Sequence, residues 1–267
     1  MSGTVIKSLL PRTAIVLFWL AMNFWLFRYE AFPEKFSSSA EGYRSLMPSG
    51  PLILDSWMQI EYQDLPVGYS HTWIDTDLSD PESAYLLRNQ TILNVQIMGQ
   101  NQGVGITLDA TLDDQYALQR FTVALHSGVY SARVEAGRVR KNIFRVTADT
   151  PPGSRTFEME IPENAVLFSP MLEMAMQKLA PGQQLKLKTV DPISLALADV
   201  IMEGAGRERI VVDGKPVEAV KINVSCQGLT FVSWFDDQGR LLREETPFGW
   251  TLRASSPGEV LSQKRKK

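Results

Sequence analysis

The side chains of this chain that could carry out covalent chemistry are one cysteine, Cys226, and two histidines, His71 and His126. A thiol hydrolase needs a thiolate, a histidine base and an Asp or Asn that orients the imidazole. Cys226 ends the alternating apolar run Val220–Cys226, so we expect a buried, unreactive thiol on the inward face of a strand. Both histidines lie in predicted strands among polar neighbours. The sequence therefore predicts no thiol catalysis.

Metal and acid chemistry would have to come from the histidines or from paired carboxylates. His71 and His126 could share a zinc ion only if the fold brings them together, which the sequence leaves open. The acid pairs at 113–114, 236–237 and 244–245 lie at predicted turns or strand ends, where Asp accepts backbone hydrogen bonds. No glycine-rich phosphate loop is present in the sequence. We therefore predict a protein that is not an enzyme, with no catalytic residue, no cofactor and no metal site.

The residues that decide the location of the chain lie near its start. Thr13–Phe27 is an uncharged run bounded by Arg12 and Arg28. A helix of this length covers about 22 Å, so flanking residues must help it to cross the ~30 Å hydrocarbon core. A cleaved signal peptide would have small residues directly after the apolar run, but this chain has the large residues of Trp25–Tyr29 at that place. A core helix of a soluble protein would need protein packed against all of its apolar faces. We interpret the run as an uncleaved single-pass transmembrane helix.

The charges around this run predict its orientation. Lys7 and Arg12 precede it without any acid, so the positive-inside rule places the N-terminus in the cytoplasm and the rest in a bacterial periplasm, at the inner membrane. The net charge is -3, and without the +4 of the last four residues it is -7, which argues against a nucleic-acid partner. The predicted organisation is a cytoplasmic N-terminus (1–12), an anchor (13–28), a linker (29–51), a periplasmic β domain (52–254) and a basic C-terminal tail (255–267).

The long C-terminal part has the alternation of β-strands. Apolar residues recur at every second position from Leu52 onward, and turn residues separate the runs about every ten residues, which is typical of antiparallel β proteins. Asp213-Gly214 predicts a tight hairpin, and further turns are expected at Gly99–Gly103 and Ala136-Gly137. Ile193–Met202 fits a short helix or a strand. The fold class predicted is mainly β, as an antiparallel half-barrel or a curved sheet.

One segment, at about 168–180, has a helical pattern instead. Ser169-Pro170 is a suitable N-cap and first helical residue, and Ala180-Pro181-Gly182 ends the run. Roughly 220° of this helix is apolar, which fits either an ordinary core helix or a lid over an apolar cavity. Under the lid interpretation, the ligand-binding side chains are Phe168, Met171, Leu172, Met174, Met176 and Leu179.

The end of the chain resembles a known family. Thr230–Leu252, with the pattern W-F-D-D-Q-G-R-L-L-R-E, resembles the last hairpin of the LolA/LolB-like superfamily of envelope proteins. It is also similar to the non-catalytic β region that precedes transglutaminase-like domains, as are Pro66–Tyr69 and Asp191-Pro192. The first resemblance implies a half-barrel with a helical lid and a hydrophobic interior that suits acyl chains or lipidated partners.

These observations together predict a function in the cell envelope. We expect a membrane-anchored periplasmic β protein that binds or hands on a lipid-like or lipidated ligand, such as a lipid or lipoprotein, and contacts the membrane through Thr13–Phe27. The alternative is an accessory scaffold that docks an envelope enzyme or a transporter component. A hydrolase is the third hypothesis.

Overall fold

The computed structural model describes residues 38–39, 54–76, 84–97, 100–128, 130–167 and 179–263. The chain divides into two units, 1–38 and 39–267. All helices and strands named below belong to the second unit, apart from residue Ser38 at the start of the first strand. The predicted anchor Thr13–Phe27 lies outside the described residues, as does most of the linker. In the described part, no helix has both the length and the apolar character that crossing a membrane requires.

The described residues form a predominantly β structure, which confirms the predicted fold class in its coarse form. The strands are β1 (Ser38–Ser39), β2 (Leu54–Tyr62), β3 (Leu65–Thr76), β4 (Tyr85–Ile97), β5 (Gln100–Leu112), β6 (Leu118–Ser127), β7 (Tyr130–Arg140), β8 (Ile143–Thr150), β9 (Gly153–Glu160), β10 (Val166–Leu167), β11 (Gln184–Val190), β12 (Leu197–Val212), β13 (Lys215–Cys226), β14 (Leu229–Phe235), β15 (Leu241–Glu245) and β16 (Trp250–Ala254). One short helix, α1 (Pro257–Gln263), follows them.

The strands build one large sheet that consists of two runs, and within each run the strands that are adjacent in sequence pair with each other. Strands β11 to β16 form one antiparallel meander and strands β2 to β9 form another. The two meanders join where β16 pairs with β2, from Trp250 opposite Tyr62 to Ala254 opposite Met58. The short strand β10 pairs with β11 in parallel. The chain therefore unites its early and late strands in the middle of the sheet.

The inner face of this sheet carries a continuous hydrophobic core. Leu187 of β11 and Val146 of β8 are both fully buried members of one cluster, although they come from strands near opposite edges of the sheet. Side chains on one face of a single sheet can be buried this completely when the sheet curves around them. The structure is thus an open, curved sheet, as the alternation predicted.

Two turn predictions were wrong, because glycine was taken as a turn signal where it lies inside a strand. Ala136 and Gly137 belong to β7, where Gly137 pairs with Arg120 and Arg145, and the turn falls instead at Lys141-Asn142. Gly103 pairs with Asn94 within the β4–β5 hairpin, so most of the predicted turn Gly99–Gly103 is strand. Within Ile193–Met202, the strand alternative is correct from Leu197 onward.

The tight turn predicted at Asp213-Gly214 is confirmed, whereas the helix α1 was not predicted. Asp213 and Gly214 have φ values of 50° and 74°, the left-handed pair that a type I′ hairpin turn requires. Helix α1 begins with a capping box, since Ser256 Oγ accepts the N–H of Glu259 while the Glu259 carboxylate accepts the N–H of Ser256. A hydrogen bond from Ser255 Oγ, followed by those from the backbone and side chain of Ser256, lowers the pKa of Glu259. The predicted basic tail 255–267 therefore contains a helix at Pro257–Gln263, and residues 264–267 lie outside the described part.

Candidate ligand-binding site

The predicted lid residues fall mostly outside the part of the chain that the structure describes. This applies to Phe168, Met171, Leu172, Met174 and Met176, so the lid stays a prediction. Leu179 is described, is 6% exposed and belongs to the main core cluster. The carbonyl oxygens of Leu179 and Ala180 lie against Gly204, where a Cβ would come within 2.9 and 2.3 Å of them. Leu179 is therefore a core residue at this point, pressed closely against strand β12.

His71 lies in an aromatic stack on the outer face of the sheet and also contacts a carboxylate. Its ring is 3.8 Å from that of Trp57 and 4.5 Å from that of Trp73, and its Nε2 is 2.8 Å from Asp55 Oδ1. A His–Asp pair of this kind could orient a general base. However, Ser70 and Thr72 flank His71 in sequence and therefore point to the opposite face of the strand. The hydroxyl groups nearest in sequence are thus out of reach as nucleophiles.

His126 does not join His71 in a shared site. It lies on β6, three strands from β3 in the sheet order, so at about 4.8 Å per strand the two rings are ~14 Å apart. His126 Nδ1 contacts Ser131 Oγ at 3.2 Å on the exposed surface. In the described part of the chain, no three His, Cys, Asp or Glu side chains come together to hold a metal ion.

The paired acids serve local structure at the turns, as predicted for two of the three pairs. Asp113 Oδ1 accepts the backbone N–H groups of Gln115 and Ala117, and Asp236 Oδ1 accepts those of Gln238 and Arg240. Glu244 differs, because it accepts a hydrogen bond from the fully buried Ser233 at 2.8 Å on the inner face. These carboxylates therefore stabilise turns and strand pairs rather than forming an acid-base pair.

A cavity of about 140 Å³ opens near Cys226, at the end of the sheet where β13 turns into β14. Its walls are mainly apolar, and they comprise Thr189, Asp191, Ser194, Ala196, Ala198, Cys226, Gln227, Leu229, Phe231 and Phe248. The sheet provides these walls because Thr189 and Ala198 pair across β11 and β12, while Cys226 and Leu229 pair across β13 and β14. These two hairpins thus provide most of the walls, and Phe248 comes from the β15–β16 connection.

The electrostatics of this cavity favour an uncharged or apolar guest over nucleophilic chemistry. Burial, and then the nearby carboxylate of Asp191, raise the pKa of the Cys226 thiol, so the thiol is protonated at neutral pH. Asp191 itself accepts the N–H groups of Ile193 and Ser194 at 2.8 and 3.1 Å, which fixes the β11–β12 loop. The cavity therefore presents a neutral thiol and a carboxylate that is used for loop structure.

An apolar rim extends from the cavity along this end of the sheet. Four adjacent connections lie at this end, at 191–196, 227–228, 246–249 and 63–64. Exposed hydrophobic side chains lie within or directly beside each connection, and this apolar rim consists of Ile193, Leu197, Leu229, Phe248, Tyr62 and Leu65. Phe248 is 54% exposed and Leu65 is 66% exposed. None of the four connections contains Lys, Arg or His. Grouped exposed apolar side chains of this kind mark interaction surfaces.

A second hollow, of about 220 Å³, adjoins this cavity and shares Thr189 and Ala198 with it. The charges beside the hollow compensate one another, because Lys188 Nζ lies 2.6 Å and Lys186 Nζ 3.2 Å from the carboxylate of Asp199. The hydrogen bond from Lys188 is the largest cause of a lowered pKa of Asp199. The cations nearest to the cavity are therefore already paired.

The inner face also holds a buried polar cluster that the sequence interpretation missed. Asn89 Nδ2 donates to Ser70 Oγ and to Thr72 Oγ1, both at 2.8 Å, and Thr91 Oγ1 donates to Asn89 Oδ1 at 3.1 Å. All four residues are at most 5% exposed. The sequence does contain a signal for this cluster, because Asn89 and Thr91 alternate in phase with the buried Leu87 and Leu93 and should therefore face the core. We interpret the cluster as a register lock between β3 and β4.

Comparisons with known proteins find one solved structure that aligns with this chain. No family model matches this chain, and no curated protein matches it. One solved structure, described as a β-barrel-like protein of domain of unknown function DUF1849 from Brucella abortus, aligns over 76% of this chain and 95% of its own. The TM-score is 0.49 and the sequence identity is 9%. The resemblance to the LolA/LolB-like superfamily stays a prediction.

Proposed function

We propose that this protein binds the end of an acyl chain in the cavity beside Cys226 and does so without catalysing a reaction. The observation that supports this proposal is the coincidence of an apolar cavity with the apolar rim at one end of the sheet. Acyl chains occur on lipids and on lipid-modified proteins, and the predicted anchor at Thr13–Phe27 would hold the β domain near a membrane that contains both.

The size of the cavity limits what it can enclose. At about 140 Å³ it is close to the ~150 Å³ apolar cavity that accepts benzene in another protein. It can therefore enclose only the last few carbons of a chain, while the rest lies against Phe248 and Leu229 of the apolar rim. Each buried methylene contributes about 0.8 kcal/mol. Partial enclosure gives a modest affinity, which suits a protein that takes up and releases its ligand.

Cys226 provides a direct test, because it is the only cysteine of the chain and it lines the cavity. We expect decanoic acid to slow the reaction of its thiol with a maleimide by at least about tenfold at saturation, since bound ligand blocks access. The full chain is held in an amphipathic polymer without detergent, and mass spectrometry follows the reaction. Because the pKa of the thiol is raised, the reaction without ligand should be slower than in the unfolded chain at the same pH, and should accelerate at higher pH.

Matched variants separate binding at the cavity from general effects. Phe248→Ser should weaken protection, whereas Val211→Ser, which changes a 62% exposed apolar residue at the opposite end of β12, should not. A cysteine placed at Lys215 in a Cys226→Ser chain should react at the same rate with and without ligand. The protection of Cys226 by decanoic acid is compared with its protection by an acylated peptide. Stronger protection by one of them shows whether a free lipid or a lipoprotein is the preferred ligand. Unchanged reactivity of Cys226 with every ligand would overturn the proposal.

A further inference from the structure

Strand β9 presents a long free edge of the sheet. It is the terminal strand in the sheet order, and among the strands that the structure describes it pairs only with β8. Seven of its eight residues are exposed, with Met159 as the half-buried exception. Free edges are usually blunted by prolines, bulges or a covering segment. Strand β9 has no proline, and its pairing with β8 has no register shift.

The register with β8 determines which backbone groups of β9 are free. The N–H of Ile161 donates to the carbonyl of Asn142 at 2.8 Å, just beyond the pair Ile143 and Glu160. Hydrogen-bonded and non-hydrogen-bonded pairs alternate along an antiparallel ladder. The residues of β9 that direct N–H and C=O away from β8 are therefore Ser154, Thr156, Glu158 and Glu160.

We propose that this edge pairs with the same edge of a second copy of this chain, with Phe157 on the two-fold axis. When the two-fold axis is perpendicular to the sheet, two identical strands pair antiparallel and the inner faces of both sheets stay on the same side. The contact is then isologous and closed, so it produces a dimer. In this register Thr156 lies opposite Glu158 of the partner subunit, and Ser154 lies opposite Glu160 of the partner subunit. All four free residues then find backbone partners.

Charge and side-chain chemistry favour this register over those centred on Arg155 or Glu158. An axis at Arg155 or at Glu158 would place like charges directly opposite each other, which is unfavourable. An axis at Phe157 instead brings together two aromatic rings, each 42% exposed in the single chain, at a non-hydrogen-bonded position where side chains approach most closely. Glu158 is already balanced by Arg145 and Arg140, at 3.5 and 3.7 Å. A second copy therefore fits this edge in geometry and in charge.

Disulfide crosslinking tests the register. In a full-length Cys226→Ser chain, Phe157→Cys should form a covalent dimer at least about tenfold faster than Arg155→Cys, because only residues near the axis reach the Cβ separation that a disulfide needs. Two Arg155 positions would be four residues apart along the strands, at ~13 Å. A mixture of Arg155→Cys and Met159→Cys chains should crosslink to each other. Equal rates for Phe157→Cys and Arg155→Cys would overturn the register.

A second variant tests the edge pairing itself. Thr156→Pro removes an N–H that points away from β8, so the β8–β9 ladder keeps its hydrogen bonds while the outer edge loses a donor. We expect sedimentation equilibrium of the full chain to show less dimer for this variant at every concentration, with a similar thermal midpoint. If Thr156→Pro unfolds the protein, the crosslinking rates decide alone. A wild-type chain that stays monomeric, together with no crosslinking through Phe157→Cys, would overturn the proposal.

Discussion

Replacement of Gly68 by alanine is expected to destabilise the β domain by roughly 3 kcal/mol, because the added Cβ cannot fit without moving a backbone. A Cβ at Gly68 would lie 2.0 Å from the carbonyl oxygen of Ile92 and 2.9 Å from the Cα of Leu93. Both atoms belong to the backbone of the neighbouring strand β4. The added Cβ therefore clashes with a backbone, and no side-chain rotation relieves the clash. Chemical denaturation of the full chain measures the change in the free energy of unfolding.

Gly137→Ala is the matched control for this experiment. Gly137 also lies inside a strand, β7, but an added Cβ there would meet nothing within 4 Å. Its replacement should change the free energy of unfolding by less than about 0.5 kcal/mol, since alanine also restricts the unfolded chain. Equal stability of the two variants would show that β3 and β4 are farther apart in solution than in the structure.

The two glycines also show where sequence interpretation succeeds and where it fails. Asp213-Gly214 was correctly predicted as a turn because two adjacent residues both favour positive φ, and the structure has both of them there. Gly137 and Gly68 look similar in the sequence but lie within strands. Gly68 is needed for a close approach by β4, which depends on a contact between residues 24 positions apart. Local patterns predict local geometry, whereas such contacts appear only in the folded chain.

The candidate site follows the same rule. Alternation predicted that Cys226 is buried on the inward face. It does pack against the core, but it is only half-buried, because it ends β13 and lines the cavity. The apolar rim was not predicted, because Tyr62, Leu229 and Phe248 are single apolar residues beside separate turns in the sequence. The pairing of β16 with β2 brings those turns side by side. A site built from adjacent turns of distant strands therefore has no continuous signature in the sequence.

The buried polar cluster gives the other large expected effect. Asn89→Ala removes the donor to Ser70 Oγ and Thr72 Oγ1 and one acceptor of Thr91 Oγ1, which keeps Ser70 Oγ at 3.1 Å, and all three hydroxyl groups remain buried. Each buried polar group that loses its partner costs about 1–3 kcal/mol. We therefore expect Asn89→Ala to lower the free energy of unfolding by roughly 3 kcal/mol, measured by denaturant titration of the full chain.

Two comparisons make the Asn89 result interpretable. Asn94→Ala alters an exposed asparagine on the same strand and should change stability by less than about 0.5 kcal/mol. Replacement of the whole cluster, by Ser70→Ala, Thr72→Val, Asn89→Leu and Thr91→Val together, should restore most of the stability, because the side chains that bond one another are then removed together. That variant would also lose the feature that distinguishes the native β3–β4 register from a shifted one, since hydrophobic side chains pack in several registers. If Asn89→Ala instead left the free energy of unfolding unchanged, water would have to reach the cluster and bond the three hydroxyl groups. The inner face of the sheet would then have space for water molecules beside its side chains.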